Sequence, residues 1–190
     1  MAKHLVKIHD KYFAPYLSEE TIAARIKELA SQINNDYKEK KPLLIAVLNG
    51  SFIFAADLCK HLTIESEISF IKLASYQGTK STGKVITAIG LDINISKRDI
   101  IIVEDIIDTG KTLHQFLPQL LDYQPNSVKI AVLLHKPEAT IHHINIDYTC
   151  FSIPDKFVVG YGLDYDGLGR NLPAIYQLHE EQSDEASIFS

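Results

Sequence analysis

The chain has no tryptophan, one methionine and two cysteines in 190 residues, and its 19 lysines and arginines are outnumbered by 24 aspartates and glutamates. Each shortage excludes something. Two cysteines cannot build a disulfide scaffold at this length, and without clustered partners they make no zinc site. Cys59 and Cys150 each sit in an apolar segment, which marks them as buried, reduced thiols acting as small hydrophobes. A formal net charge of -5 offers no electrostatic basis for nucleic-acid binding, so no nucleic acid is expected as a partner. No segment reaches the apolar length that spans a bilayer, and residues 1–7 lack the apolar stretch of a signal peptide. The expectation is a cytoplasmic protein with no membrane partner. Repeats, low-complexity tracts and linkers rich in Pro, Gly or Ser are missing too. Residues 1–190 therefore read as one domain, with a core over about 18–175 and an acidic tail from about 180.

What is present is an alternation of two periodicities. Ser18 followed by Glu19 and Glu20 reads as a helix N-cap with acids in the first turn. Ile22, Ile26, Leu29 and Ile33 recur at helical spacing, which predicts an amphipathic helix to about Asn34. Residues 43–48 are a continuous apolar run bounded by breakers, as expected of a strand covered on both faces. A turn at 49–51 leads into a helix over 52–61, then a strand over 68–73 and a polar loop over 75–84. Further strands are predicted at 85–89, 99–103, 128–134, 148–151 and 157–159, with a helix over 112–123. Such alternation predicts an α/β domain with a mainly parallel sheet flanked by helices. Ligands in these sheets bind beyond the carboxyl ends of the strands, which directs attention to the positions after Leu48, Val103 and Leu134.

The second of those positions is the richest. In Val103-Glu104-Asp105-Ile106-Ile107-Asp108-Thr109-Gly110-Lys111-Thr112, a buried strand runs into two adjacent carboxylates, then a third, then a small polar turn that opens a helix. Residues 109–112 can present successive N–H groups and hydroxyls to a phosphate, helped by the helix N-terminus. Glu104 and Asp105 would repel a phosphate and suit ribose hydroxyls or a hard cation. A P-loop is excluded, because its pattern needs glycine where Asp105 stands. A plain capped helix after a solvated acidic turn accounts for Thr109 but not for three acids around Ile106-Ile107.

This stretch resembles the phosphoribosyl pyrophosphate signature of type I purine phosphoribosyltransferases, in particular their hypoxanthine-guanine branch. The resemblance covers most of the chain and implies that family's fold, with a small hood region and a flexible lid loop. Leu48-Asn49-Gly50-Ser51 resembles the family's pyrophosphate loop, in which the bond after the leucine is often cis and many relatives carry a basic residue where Asn49 stands. The polar loop that begins at Ser75 and Tyr76 resembles the mobile lid, which keeps water from the reacting ribosyl centre; both residues are expected at the pyrophosphate. In His135-Lys136-Pro137-Glu138, Lys136 is implied to donate to the exocyclic oxygen of the base, a contact that disfavours adenine. Phe157 is implied to stack on the purine, Val158 to pair with its edge through the backbone, and Arg170 to clamp pyrophosphate. Asp164 belongs to the same base-binding segment.

The resemblance further implies Mg2+ held by Glu104, Asp105 and Asp164, and a phosphoribosyl group held by Glu104, Asp105, Asp108, Thr109, Gly110, Lys111 and Thr112. Asp108 becomes the catalytic base. The implied substrates are phosphoribosyl pyrophosphate with hypoxanthine or guanine, and the implied assembly is a homodimer or homotetramer. A phosphoribosyl-pyrophosphate-sensing regulator on the same fold, and a xanthine-preferring enzyme, are the rival readings. His142 and His143, with no ligand-like neighbours in sequence, read as surface residues.

Overall fold

A computed structural model of the chain describes residues 5–75, 85–89 and 93–179. Ser18 caps α1 (Glu19–Asp36), its hydroxyl accepting from the Thr21 N–H at 3.2 Å, and Ile22, Ile26, Leu29 and Ile33 form the buried stripe their spacing predicts. The apolar run is β3 (Leu43–Leu48), followed by α2 (Phe52–His61). Next come β4 (Glu67–Ser75), β5 (Val85–Ile89), β6 (Asp99–Ile107), α3 (Lys111–Leu121), β7 (Ser127–His135) and β8 (Tyr148–Ser152). These strands make a six-stranded sheet in the order β5-β4-β3-β6-β7-β8. All neighbours are parallel except β5, which runs antiparallel to β4 at one edge.

The central strands read as unbroken apolar runs because both sheet faces are covered. Leu44, Ala46, Ile101 and Val103 pack on one face with Ile26, Leu29, Phe54 and Leu58 from α1 and α2. Leu43, Ile45, Ile100 and Ile102 pack on the other with Leu113, Phe116 and Leu120 from α3. The bounds of β6 differ most from expectation. β6 does not stop at Val103 but continues through both acids, because β7 keeps pairing with it: Glu104 lies opposite Val132 and Ile107 opposite His135. A carboxylate does not break a strand whose backbone remains in the ladder.

A second, antiparallel sheet was not legible. It is built from β1 (Val6–Ile8), β2 (Lys11–Leu17), β9 (Val158–Val159) and β10 (Ile175–Leu178), in the order β1-β2-β10-β9. Its pairing reaches beyond the expected core of 18–175 on both sides, and it supplies the small hood region. Such short strands, one of them carrying Pro15, gain order from partners distant in sequence rather than from their own pattern. The expected lid residues 76–84, Tyr76 among them, and the tail from 180 lie outside the described residues. No helix among the described residues is long and apolar enough to cross a membrane. Both cysteines are free; Cys150 is buried, which pushes its thiol up to about 12.

β8 lies at the far edge of the large sheet, where unpaired carbonyl groups need partners. Arg25 supplies them from α1, donating to the Cys150 and Thr149 carbonyls at 2.8 Å each. Arg25→Ala is expected to lower folding stability by about 1.5–3 kcal/mol, the range for hydrogen bonds that involve a charged group. An unchanged urea midpoint would contradict that role.

Candidate active site

The carboxyl ends of β3, β6 and β7 form one site. After β3, the Leu48–Asn49 peptide bond is cis, Asn49 is exposed and Gly50 is buried. Gly50 lies directly against the Asp105 carboxylate, so a β-carbon there would overlap Oδ2. On its other side Gly162, at φ 101°, lies so close that its own β-carbon would overlap the Gly50 carbonyl. Tyr161 holds that loop in place. Despite having a side chain it adopts φ 50°, donates its N–H to the Leu172 carbonyl at 2.8 Å, and donates its hydroxyl to Asp57 of α2 at 2.5 Å. Ser51 is placed differently from expectation. Its hydroxyl donates to the Val47 carbonyl at 2.6 Å and its N–H to the same oxygen at 3.4 Å, so neither group faces the cleft as a free donor.

Beside this stack, residues 104–113 line a cleft of about 280 Å³. Its closed end is carboxylate. Glu104 is only 9% exposed, and its Oε2 has no hydrogen-bond partner. Burial, followed by the charge of Asp105, holds its carboxyl well above the usual range. Burial likewise pushes Asp105 up to about 6, against the Ile106 N–H that favours its ionised form from 2.9 Å. Its open end is the Thr109–Gly110 turn, where Gly110 caps α3 at φ 76° and has no room for a β-carbon because of the His142 carbonyl. Thr109, Lys111 and Thr112 are exposed there, and the first N–H groups of α3 have no intrahelical acceptors. His142 is therefore more than a surface residue. Its N–H donates to the Thr109 carbonyl at 3.0 Å and its ring stacks on His114 at 4.9 Å.

Asp108 and Lys136 face each other across the third side. The Lys136 side chain is 7% exposed, and its Nζ lies 3.1 Å from Asp108 Oδ2 and 3.2 Å from Asp155 Oδ1. Its N–H donates to the Ile107 carbonyl at 2.9 Å, continuing the β6–β7 ladder by one residue. Thr140 Oγ1 lies 2.9 Å from both the Asp108 and Lys136 carbonyl oxygens. Phe157 is 44% exposed and backed by aromatic rings, Tyr165 edge-on at 5.8 Å and Phe13 of β2 at 6.3 Å. Val158 is buried in β9, opposite Gln177 of β10. Asp164 accepts from the Gly167 N–H at 2.7 Å and from Arg170 Nη2 at 2.7 Å, while Arg170 Nη1 donates to the Gly162 carbonyl at 2.7 Å. Ser75 ends β4.

Among the described residues no three His, Cys, Asp or Glu side chains converge as a ready-made metal cage. The unpaired buried oxygen of Glu104 and the crowded Asp105 still fit a hard cation, since magnesium takes one or two carboxylates and completes its shell from substrate oxygens and water. The sequence matches the family model of the phosphoribosyl transferase domain over residues 15–166. The chain belongs to the phosphoribosyltransferase family. Its similarity to hypoxanthine-guanine phosphoribosyltransferases of Streptococcus pyogenes and Streptococcus mutans is 48% and 47% identity, each over 86% of this chain and 92% of the relative. Among solved structures, a hypoxanthine-guanine phosphoribosyltransferase of Bacillus anthracis with a HEPES molecule in its active site superposes with a TM-score of 0.81. It is 42% identical and is covered over 96% of its length by 87% of this chain. A phosphoribosyltransferase fold, with its parallel sheet and helices, is thus established.

Asp155, Thr140, Phe13, Tyr165 and the Asp57–Tyr161 pair were missed from sequence. Asp155, Tyr161 and Tyr165 carried a signal, since all three lie in the 154–170 segment that holds the residues assigned to the base.

A carboxyl whose folded value is raised contributes stability that is full below its unfolded value near 3.8 and is lost as pH rises through about 6. Unliganded protein should therefore lose stability between those limits. At pH 7, without divalent cation, Asp105→Asn is expected to gain roughly 2–3 kcal/mol, at 1.36 kcal/mol per pKa unit. A lower Tm than wild type under those conditions would refute this.

Proposed function

We propose that the chain carries out purine salvage, transferring the 5-phosphoribosyl group of phosphoribosyl pyrophosphate to N9 of hypoxanthine or guanine and releasing inosine or guanosine monophosphate and pyrophosphate. One observation carries the choice of base. Lys136 Nζ and Asp108 Oδ2 stand 3.1 Å apart, a donor beside an acceptor. An oxopurine with a proton on N7 presents the complementary pair along one edge, an exocyclic oxygen beside an N–H. Adenine places an amino group where the oxygen would be, against the ammonium.

The residues take these roles in the proposal. Residues 109–112 hold the 5-phosphate at the start of α3. Glu104 and Asp105 hold the ribose hydroxyls, while Asn49, Gly50, Ser75, Tyr76 and Arg170 receive the diphosphate; Ser51 supports the loop through Val47. Phe157 stacks on the purine, backed by Phe13 and Tyr165. Glu104, Asp105 and Asp164 are the carboxylates that would hold Mg2+, which when bound neutralises and orients the diphosphate leaving group. As N9 forms its bond to C1, the bond from C1 to the diphosphate oxygen breaks and Asp108 takes the N7 proton. The same proposal places residues 1–190 in one domain, working in the cytoplasm as a homodimer or homotetramer.

Supplying each free base with phosphoribosyl pyrophosphate and magnesium, and measuring nucleotide formed, tests the reading. Turnover of hypoxanthine and guanine with little of adenine is expected, and no turnover of any purine would refute it. Asp108→Asn is expected to reduce kcat by ~10²–10⁴, as loss of a general base does, while phosphoribosyl pyrophosphate still binds. Lys136→Ala is expected to weaken oxopurine binding, and an unaltered base affinity would remove its role.

A further inference from the structure

The buried Lys136 ammonium has two carboxylate partners, and the transfer just proposed uses only Asp108. The second, Asp155, is 58% exposed and reaches the ammonium at 3.2 Å from the turn between β8 and β9. That turn is anchored to the end of β7, where the Ile153 N–H donates to the His135 carbonyl at 2.8 Å. A buried ammonium is costly without a counter-charge. With both acids ionised, the trio of Lys136, Asp108 and Asp155 carries one net negative charge. Once a proton has moved from the purine to Asp108, the trio is neutral only because Asp155 remains ionised.

We propose that Asp155 is a positioning residue that holds the Lys136 ammonium on the exocyclic oxygen of the base while Asp108 turns from that ammonium to N7. The proposal rests on the oxopurine-edge reading of Asp108 and Lys136. Without the Asp155 carboxylate, Asp108 is the ammonium's remaining partner in the trio, so the pair closes on itself and withholds both groups from the base. The backbone there is held without Asp155: the Lys136 N–H donates to the Ile107 carbonyl at 2.9 Å, and the Thr140 hydroxyl lies within 2.9 Å of the Asp108 and Lys136 carbonyl oxygens. Losing Asp155 therefore redirects a side chain without moving a strand end.

Asp155→Asn is expected to raise KM for hypoxanthine about fivefold and lower kcat, with KM for phosphoribosyl pyrophosphate unchanged, and Asp155→Glu should recover most of the loss. A purely structural role would not respect the partner, so the deciding measurement is a cycle. Dissociation constants for inosine monophosphate are measured by calorimetry in wild type, Asp155→Asn, Lys136→Met and the double variant. A loss of about fivefold is expected when Lys136 is present, and none in the Lys136→Met background. Equal losses in both backgrounds, or an unaltered hypoxanthine KM in Asp155→Asn, would overturn the proposal. A wild-type chain that makes no nucleotide from either oxopurine removes the underlying reading and this proposal with it, and the turnover assay alone identifies that outcome.

Discussion

Gly50 lies so near the Asp105 carboxylate that no side chain fits between them, and Gly162 lies as near the Gly50 carbonyl on the opposite side. Three segments are thereby stacked: the loop after β9 lies backbone to backbone on the turn after β3, and that turn lies on the Asp105 carboxylate at the end of β6. The end of β6, the turn after β3 and the loop that carries Arg170 take their mutual spacing from that stack. Tyr161 secures its outer layer from Asp57, and Arg170 secures the same loop from within through the Gly162 carbonyl and Asp164.

The stack also gathers carboxyl groups where burial disfavours their charged form. Glu104 retains an unpaired buried oxygen, and Asp105 is crowded by backbone on one side and influenced by Asp164 and Arg170 on the other. Carboxyls whose charged form is disfavoured by burial cost stability once the pH rises past their shifted values. They are offset elsewhere by an apolar sheet packed on both faces, and their unfavourable placement is what leaves them ready for a cation and hydroxyl groups. Strain of this kind concentrates affinity at one place, and the surrounding core makes it tolerable.

Local pattern was enough for much of the molecule. The bounds of β3, α2 and β5 follow from short apolar runs between breakers, and Ser18 is a cap because its hydroxyl has a free N–H three residues ahead. The acidic signature was legible because its parts are contiguous. Features that depend on distant partners were not. β6 is longer than its apolar run because β7 keeps pairing with it, and the small sheet exists only once residues 11–17 meet residues 175–178. Ser51 looked available until its geometry placed the Val47 carbonyl within reach. A lysine after a strand reads as solvated, and only the approach of Asp108 and Asp155 from two other segments makes a buried Lys136 comprehensible.

The order of strands in the small sheet has a bearing on how the molecule is made. β10 inserts between β2 and β9, so the earliest and latest parts of the chain meet there. The ribosome delivers the large-sheet strands from β3 through β7, with Glu104, Asp105 and Asp108, well before β10, whose Leu178 N–H donates to the Phe157 carbonyl at 2.8 Å. The small sheet beside Phe157 is consequently the last piece to be assembled, and a nascent chain halted before residue 175 holds β2 and β9 without the strand that joins them.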